Sequence, residues 1–296
     1  MRISWKHIVI SLFLYVLVFT ANAQSKVEVI TKTIEKTVRY TPGFTLRIEG
    51  HSANIKVIGW EKATIQVEIK LISKGLNMQI AKKELEYQKY VINDVDKTHS
   101  IRNYLLLPKN VAKLSTIQET HIQVFVPSHI TVDVRNKFGK IGIQNQIGNL
   151  TIENEYGDVS LVNNKGQHHV LSHFGDLNIE NLQGDFSYNL VQTETIINGI
   201  KGKGTIKSNL GNIEIENIDK HSEIKIDAIK SDVKWKSDNL NQFHLLCESK
   251  YGEIKAPKEL SISSTGKNGN NLSNGDKSLS ELNIKTDYGL IEIINL

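Results

Sequence analysis

Three histidines, His168, His169 and His173, form the densest group of imidazoles in this 296-residue sequence. Imidazole nitrogens suit zinc or copper, so a metal centre is the first chemistry to weigh there. A second set, Lys140, Asp158, Asp176, Glu194 and Asn212, recurs every 18 residues. Adjacent carboxylates can bind calcium or divide acid and base roles at a glycosidic bond. The third candidate is Cys247, the single cysteine of the chain. No G-x-S-x-G, P-loop, H-E-x-x-H or C-x-x-C pattern is present.

What these side chains can do depends on the elements that hold them, and those elements repeat. Gly139, Gly157 and Gly175 stand 18 residues apart and Gly211 another 36 on, with Thr193 in the place between. A second series, Gly148, Gly166, Gly184 and Gly202, runs midway, and Lys220 takes its next place. Apolar residues keep the same clock. Ile141, Val159, Leu177, Thr195 and Ile213 follow the first series by two places, and Ile143, Leu161, Ile179, Ile197 and Ile215 by four. Alternation at period two makes each nine-residue half a short strand with one buried face, followed by a turn. Glycine at the turns fits a need for positive φ. Two halves close one coil, and stacked coils bury the inward residues as ladders. The fold expected is therefore all-β: a β-solenoid with two nine-residue halves per 18-residue coil, five coils rising about 24 Å. A β-sandwich of hairpin-sized units is the alternative.

This frame sorts the candidates. Alternation turns His168 inward and His169 outward, so the adjacent pair cannot converge on one ion. The acids after the turn glycines fit solvated positions with local hydrogen bonds. Calcium-binding nonapeptides need a G-G-x-G-x-D pattern, and these copies carry one glycine per nine residues. No catalytic, cofactor-binding or metal-binding residue is assigned. The polar outward row Thr151, His169, Ser187 and Thr205 is the candidate binding ladder. Asn136, Asn154, Ser172, Leu190 and Ser208, three places before the first glycine series, suit a hydrogen-bonded turn ladder. Phe138, Tyr156, Phe174, Phe186 and Tyr188 fall at turn or inward positions and offer no platform for stacking on sugars. Trp60 and Trp235 have no assignment.

Outside the repeat, residues 24–135 form a less regular β-rich part that suits a cap for the stack. One helix is expected near 78–90, where Met78 to Tyr90 has helix-forming composition. Residues 136–296 are the solenoid. The turn motif returns at Tyr251-Gly252 and Tyr288-Gly289, spacings that imply insertions. Residues 263–280, rich in Gly, Asn and Ser, read as a flexible insertion. The apolar strand Ile291 to Ile294 keeps open an uncapped last coil at Tyr288 to Leu296, which would suit a module that assembles through its ends.

Residues 1–23 have the form of a secretory leader: Arg2 and Lys6, then an uncharged run from Ile8 to Thr20, then Ala21-Asn22-Ala23. Cleavage would leave Gln24 first and place the mature chain in the periplasm or at the cell surface. No second long apolar run follows, so the mature chain is expected to lack a membrane span. The formal charge of +4 falls to +2 without Arg2 and Lys6, and the basic residues lie scattered among acids. Nucleic acid is therefore excluded as a partner. A lone cysteine permits no intramolecular disulfide, and Cys247 behind Leu245-Leu246 reads as a buried thiol.

The segment Gly50 to Trp60 (GHSANIKVIGW), the Val124-Phe125-Val126-Pro127 step and the repeated Phe/Tyr-Gly-Asp/Asn-Ile/Val units resemble the bacterial putative-adhesin families of unknown function, the DUF4097-like repeat proteins. The resemblance runs from Phe44 to the C-terminus. It implies an exported β-solenoid of adhesin-like type and supplies no functional residues. The expected function is non-enzymatic binding of an envelope protein or polysaccharide through polar ladders. The alternatives are a polysaccharide-active β-helix enzyme using a carboxylate row, or a structural envelope scaffold assembling through its ends.

Overall fold

The computed structural model describes residues 26–264 and 268–296; the leader expected at 1–23 lies outside them. The chain folds as a β-solenoid whose coils each give one strand to either of two parallel ladders. The regular coils begin with β8 (Thr131–Lys137) and β9 (Ile141–Gln144), followed by β10 (Leu150–Glu155) and β11 (Val159–Val162). Next come β12 (His168–Gln183) and β13 (Phe186–Lys201), each of which rounds a corner without losing its pairing. Then follow β14 (Lys203–Asn209) with β15 (Ile213–Ile218), and β16 (Glu223–Ile229) with β17 (Val233–Ser237). The register Leu150, His168, Phe186, Gly204 keeps the 18-residue step, and Gly204 then pairs with Ile224, a step of 20. The coil β16–β17 has Ser231 where its neighbours have glycine, so glycine spacing hides it. It accounts for half of the gap between Gly211 and Gly252.

Inward residues form continuous apolar columns. Ile48, Val134, Ile152, Val170, Tyr188, Ile206, Ile226 and Ile284 are all fully buried. Burying aliphatic and aromatic side chains contributes roughly 1.5–3 kcal/mol apiece, and the columns supply it without any disulfide. The polar residues before the corner turn inward and bond the bend. Asn154 donates to the Gly157 carbonyl (2.6 Å), Ser208 to that of Gly211 (3.2 Å) and Thr286 to that of Gly289 (3.0 Å). Each thereby satisfies a corner carbonyl that the strands leave unpaired.

In the second series Gly166 (φ 111°), Gly184 (129°) and Gly202 (151°) have the positive φ expected, whereas the glycines of the first series have a different reason. The left-handed conformation belongs to the residue before each of them: Phe138 (φ 62°), Tyr156 (57°) and Phe174 (61°). Gly157 and Gly175 are outside that region. A Cβ on Gly157 would strike the carbonyl of Gly139, and one on Gly175 that of Gly157. Glycine is needed there for close stacking of coil on coil.

Both ends of the stack depart from chain order. At one end, β2 (Thr45–His51) and β3 (Ala53–Trp60) pair with β8 and β9 on one side. On the other they pair with β6 (Thr98–Leu105) and β7 (Ile117–Pro127). Antiparallel strands cover that layer: β5 (Gln88–Val95) on β6, and β4 (Thr64–Gly75) on β7, with β1 (Glu28–Arg39) outside β4. The helix expected near 78–90 spans Met78–Leu85 as α1; Asn77 caps it by accepting from the Ile80 amide (3.0 Å), and β5 begins at Gln88. The division expected at 135/136 falls inside β8.

At the other end, β22 (Ser280–Asp287) and β23 (Ile291–Asn295) lie between β16–β17 and the coil of β18 (Phe243–Lys250) and β19 (Ile254–Lys255). The C-terminal strand therefore lies between two others and is not the last layer of the stack. The flexible insertion expected over 263–280 includes 265–267, which lie outside the described residues; two strands fall in or next to the rest. These are β20 (Ile262–Ser264) and β21 (Gly269–Asn274), the latter antiparallel to both β18 and β20. Its asparagines use side-chain donors as well as the ladder, as in Asn270 to the Gly252 carbonyl (3.1 Å). Among the described residues, no helix is long and apolar enough to cross a membrane.

Replacing Gly157 by Ala forces a methyl group against the Gly139 carbonyl, so chemical denaturation is expected to show a loss of about 2–3 kcal/mol. An unchanged midpoint would show that the coils have slack at this corner.

Candidate binding faces

The outward row on the first ladder is laid out by register alone. Thr151 pairs with His169, His169 with Ser187, and Ser187 with Thr205. Neighbouring strands stand about 4.8 Å apart, which sets the spacing of these side chains. The row runs on into Asp133 and Arg47 at one end and Lys225 and Asn283 at the other. Arg47 Nε donates to Asp133 Oδ2 (2.9 Å), closing that end with an ion pair. Beside the row, an open groove of about 410 Å³ crosses β13, β14, β16, β22 and β18. Its walls carry Lys207, Asp227, Lys285 and Glu248, and Lys285 pairs with Glu248 at 3.2 Å. Such a face can donate and accept hydrogen bonds at a fixed repeat.

The other candidates are held apart. His168 is buried in the core, His169 is exposed, and His173 lies edge-on to Phe174 (6.4 Å). Among the described residues no group of three or more His, Cys, Asp or Glu is placed to hold a metal ion. In the carboxylate row, Lys140 bonds Asp158 (2.9 Å) and holds its carboxyl below the usual range. The Asp176 amide bonds the same carboxylate (3.3 Å). Asp158 therefore stands in a lysine pair and a backbone contact. Cys247 is buried among apolar neighbours, and burial pushes its thiol up to about 12, so it is not a thiolate at neutral pH.

The aromatics divide into two sets. Phe186 and Tyr188 are in the core. Phe138, Tyr156 and Phe174 are between 39% and 47% exposed at the left-handed corners. Their rings stack at 5.1 and 4.7 Å, and Tyr251 stacks on Tyr288 at 4.8 Å. Each stack contributes about 0.5–1.5 kcal/mol and offsets the strain of the corner. The faces are covered by one another, so the corner shows solvent a strip of ring edges. The signal for this strip was present: an aromatic residue directly before glycine at the 18-residue step. Trp235 packs in the core against Phe243 (5.5 Å). Trp60 stacks on Phe125 (5.3 Å) and donates to the Thr64 carbonyl (2.8 Å).

A family model described as Toastrack DUF4097 matches residues 22–293. The chain belongs to that family. The Toastrack fold is the coil stack described above. Three solved structures resemble this Toastrack chain over most of its length. A putative adhesin from Bacteroides fragilis is 13% identical, with 89% of this chain and 97% of that one covered and a TM-score of 0.46. A putative adhesin from Parabacteroides distasonis is 8% identical, with the same coverage and TM-score. A putative cell adhesion protein from Clostridium sporogenes is 15% identical, covering 88% and 99%, with a TM-score of 0.26. No curated protein matches the chain.

Burial sets a pH dependence at His168. Its imidazole is pushed down to about 4 from an ordinary 6.5, because charging it in the core costs solvation. Between those values only the unfolded chain takes up the proton. Stability is complete above pH 6.5 and falls as pH drops toward 4, by on the order of 3 kcal/mol. In His168→Leu, which continues the column from Leu150, urea denaturation at pH 7 and pH 4.5 is expected to lose this component. An equal pH slope in both proteins would place the acid sensitivity elsewhere.

Proposed function

We propose that this Toastrack chain is a non-enzymatic, exported, adhesin-like β-solenoid that binds a protein or polysaccharide partner in the cell envelope through its outward polar ladder. One observation supports this most: Thr151, His169, Ser187 and Thr205 are consecutive partners in a parallel ladder. A rigid row with one spacing suits a partner that itself repeats, such as an extended strand or a glycan chain, because little side-chain or backbone order remains to be lost on binding. The enzyme alternative requires two carboxylates facing a substrate; Asp158 is occupied by Lys140, which leaves that role to the neighbouring Asp176 and Glu194. The scaffold alternative requires open ends; antiparallel strands cover both ladders at one end and the β18 ladder at the other, which leaves β19 as the open edge for such assembly.

Export carries its own check. Mass spectrometry of the envelope fraction is expected to find a chain that begins at Gln24; a chain retaining residues 1–23 would exclude cleavage. For binding, the chain from Gln24 is presented to a glycan array and to envelope extracts beside a His169→Ala, Ser187→Ala, Thr205→Ala variant. Specific capture that drops at least tenfold in the variant is the expected result. Capture equal in both proteins moves the site off this ladder, and no capture by either removes the adhesin reading.

A further inference from the structure

The second ladder has a gap where a side chain is missing without a structural cause. Gly142 sits in the middle of β9, paired with Lys56 of β3 on one side and Ser160 of β11 on the other. Its backbone is not in the left-handed region, and a Cβ built there meets nothing within 4 Å. Gly43, the other glycine with open space around it, has a φ of +84° that explains it. Gly142 has neither a conformational nor a steric reason to lack a side chain. Glycine inside a strand weakens it, and an unforced one often marks a place where something else approaches the backbone.

The gap opens into a groove of about 560 Å³ that extends over β4, β7, β3, β9 and β11. This lies within the range of small-ligand sites. Its lining combines apolar side chains, among them Ile72 and Val162, with hydrogen-bonding ones. Lys56, Lys70 and Lys140 line it against one carboxylate, Glu68, with His121, Gln144 and Ser160 between. Lys70 is paired with Glu68 (2.8 Å) and Lys140 with Asp158 (2.9 Å). Among the described residues Lys56 forms no ion pair, and it stands directly beside the gap. The groove therefore offers one unneutralised cation, an amide and a hydroxyl around a one-residue hollow.

We propose that this groove binds an acidic oligosaccharide, with a sugar ring seated over Gly142, its carboxylate on Lys56 and its hydroxyls on Gln144 and Ser160. A charged group answers the free lysine, and a ring with several hydroxyls answers the neutral donors and acceptors at the rim. This site is on the opposite ladder from Thr151, His169, Ser187 and Thr205, and does not depend on that row.

Because a side chain at 142 has room, the site can be filled without disturbing the fold. Isothermal titration of the chain from Gln24 uses a tetra-galacturonate, a neutral tetra-galactose and inorganic phosphate as probes. The expected result is binding of the uronate, weakened by salt, with little binding of the neutral sugar. Gly142→Leu is expected to weaken it at least tenfold while the melting temperature holds or rises, and Lys56→Gln at least fivefold. The triple alanine variant of the first ladder should bind as the parent does. Uronate binding unchanged in a folded Gly142→Leu overturns the site. So does loss in the triple variant alone, which would assign the sugar to the first ladder and support that function. Equal binding of the neutral sugar overturns the acidic class, phosphate competing as well as uronate overturns the saccharide, and no uronate binding by the parent overturns the proposal while leaving the first ladder's partner open.

Discussion

Each coil of this protein hydrogen-bonds its backbone to the coils on either side, and where a corner carries glycine the chains approach so closely that a Cβ there would strike the carbonyl of the adjoining coil. Gly157 over Gly139 and Gly175 over Gly157 set that closeness. Once the corners are in contact, the register of both ladders is fixed, because a slip by one residue would turn every buried side chain outward. The apolar columns, the stacked corner rings and the spacing of the outward rows all follow from one backbone distance. The left-handed residue before each glycine carries the strain of the bend, and the stacked rings relieve part of it.

The interior accommodates polarity in a patterned way. Asparagine, serine and threonine occur inside mainly at the corners, where a carbonyl needs a donor that the strands cannot give. Along the straight stretches the columns are aliphatic, with bulk traded between adjacent coils. Phe186 fills space that Gly204 in the next coil leaves open, since any Cβ on Gly204 would meet its ring. A large ring and a missing side chain are thus one packing unit spread over two coils.

Much of this was legible in the residues. The 18-residue step of the glycines and the period-two alternation gave the coil, the facing of His168 and His169, and the partners of the outward row. The coil β16–β17 was not legible through glycine, because Ser231 holds its corner with a hydroxyl that bonds the Gly211 amide (3.1 Å). The exposure of the corner strip is not set by the alternation, because a turn position can leave a ring half exposed where an inward one cannot. Strand β21 was obscured by composition, since its asparagines and glycines look like a loop until β18 offers an edge to pair with. The hollow at Gly142 has no sequence signature. Only the surroundings show that this glycine, unlike its neighbours in the repeat, is not required by the backbone.

The layers at the far end are ordered differently in space and along the chain. β18 and β19 join the stack through β22 and β23, which are synthesised later. In the finished fold β18 and β19 reach β16 and β17 only through the pairings that β22 and β23 make on both sides. The later segment is thus the keystone of this end: it alone joins the earlier one to the stack by backbone pairing. A break in the chain near residue 279 would cost the fold far more than the short piece it removes, because the preceding hairpin would lose its seat as well.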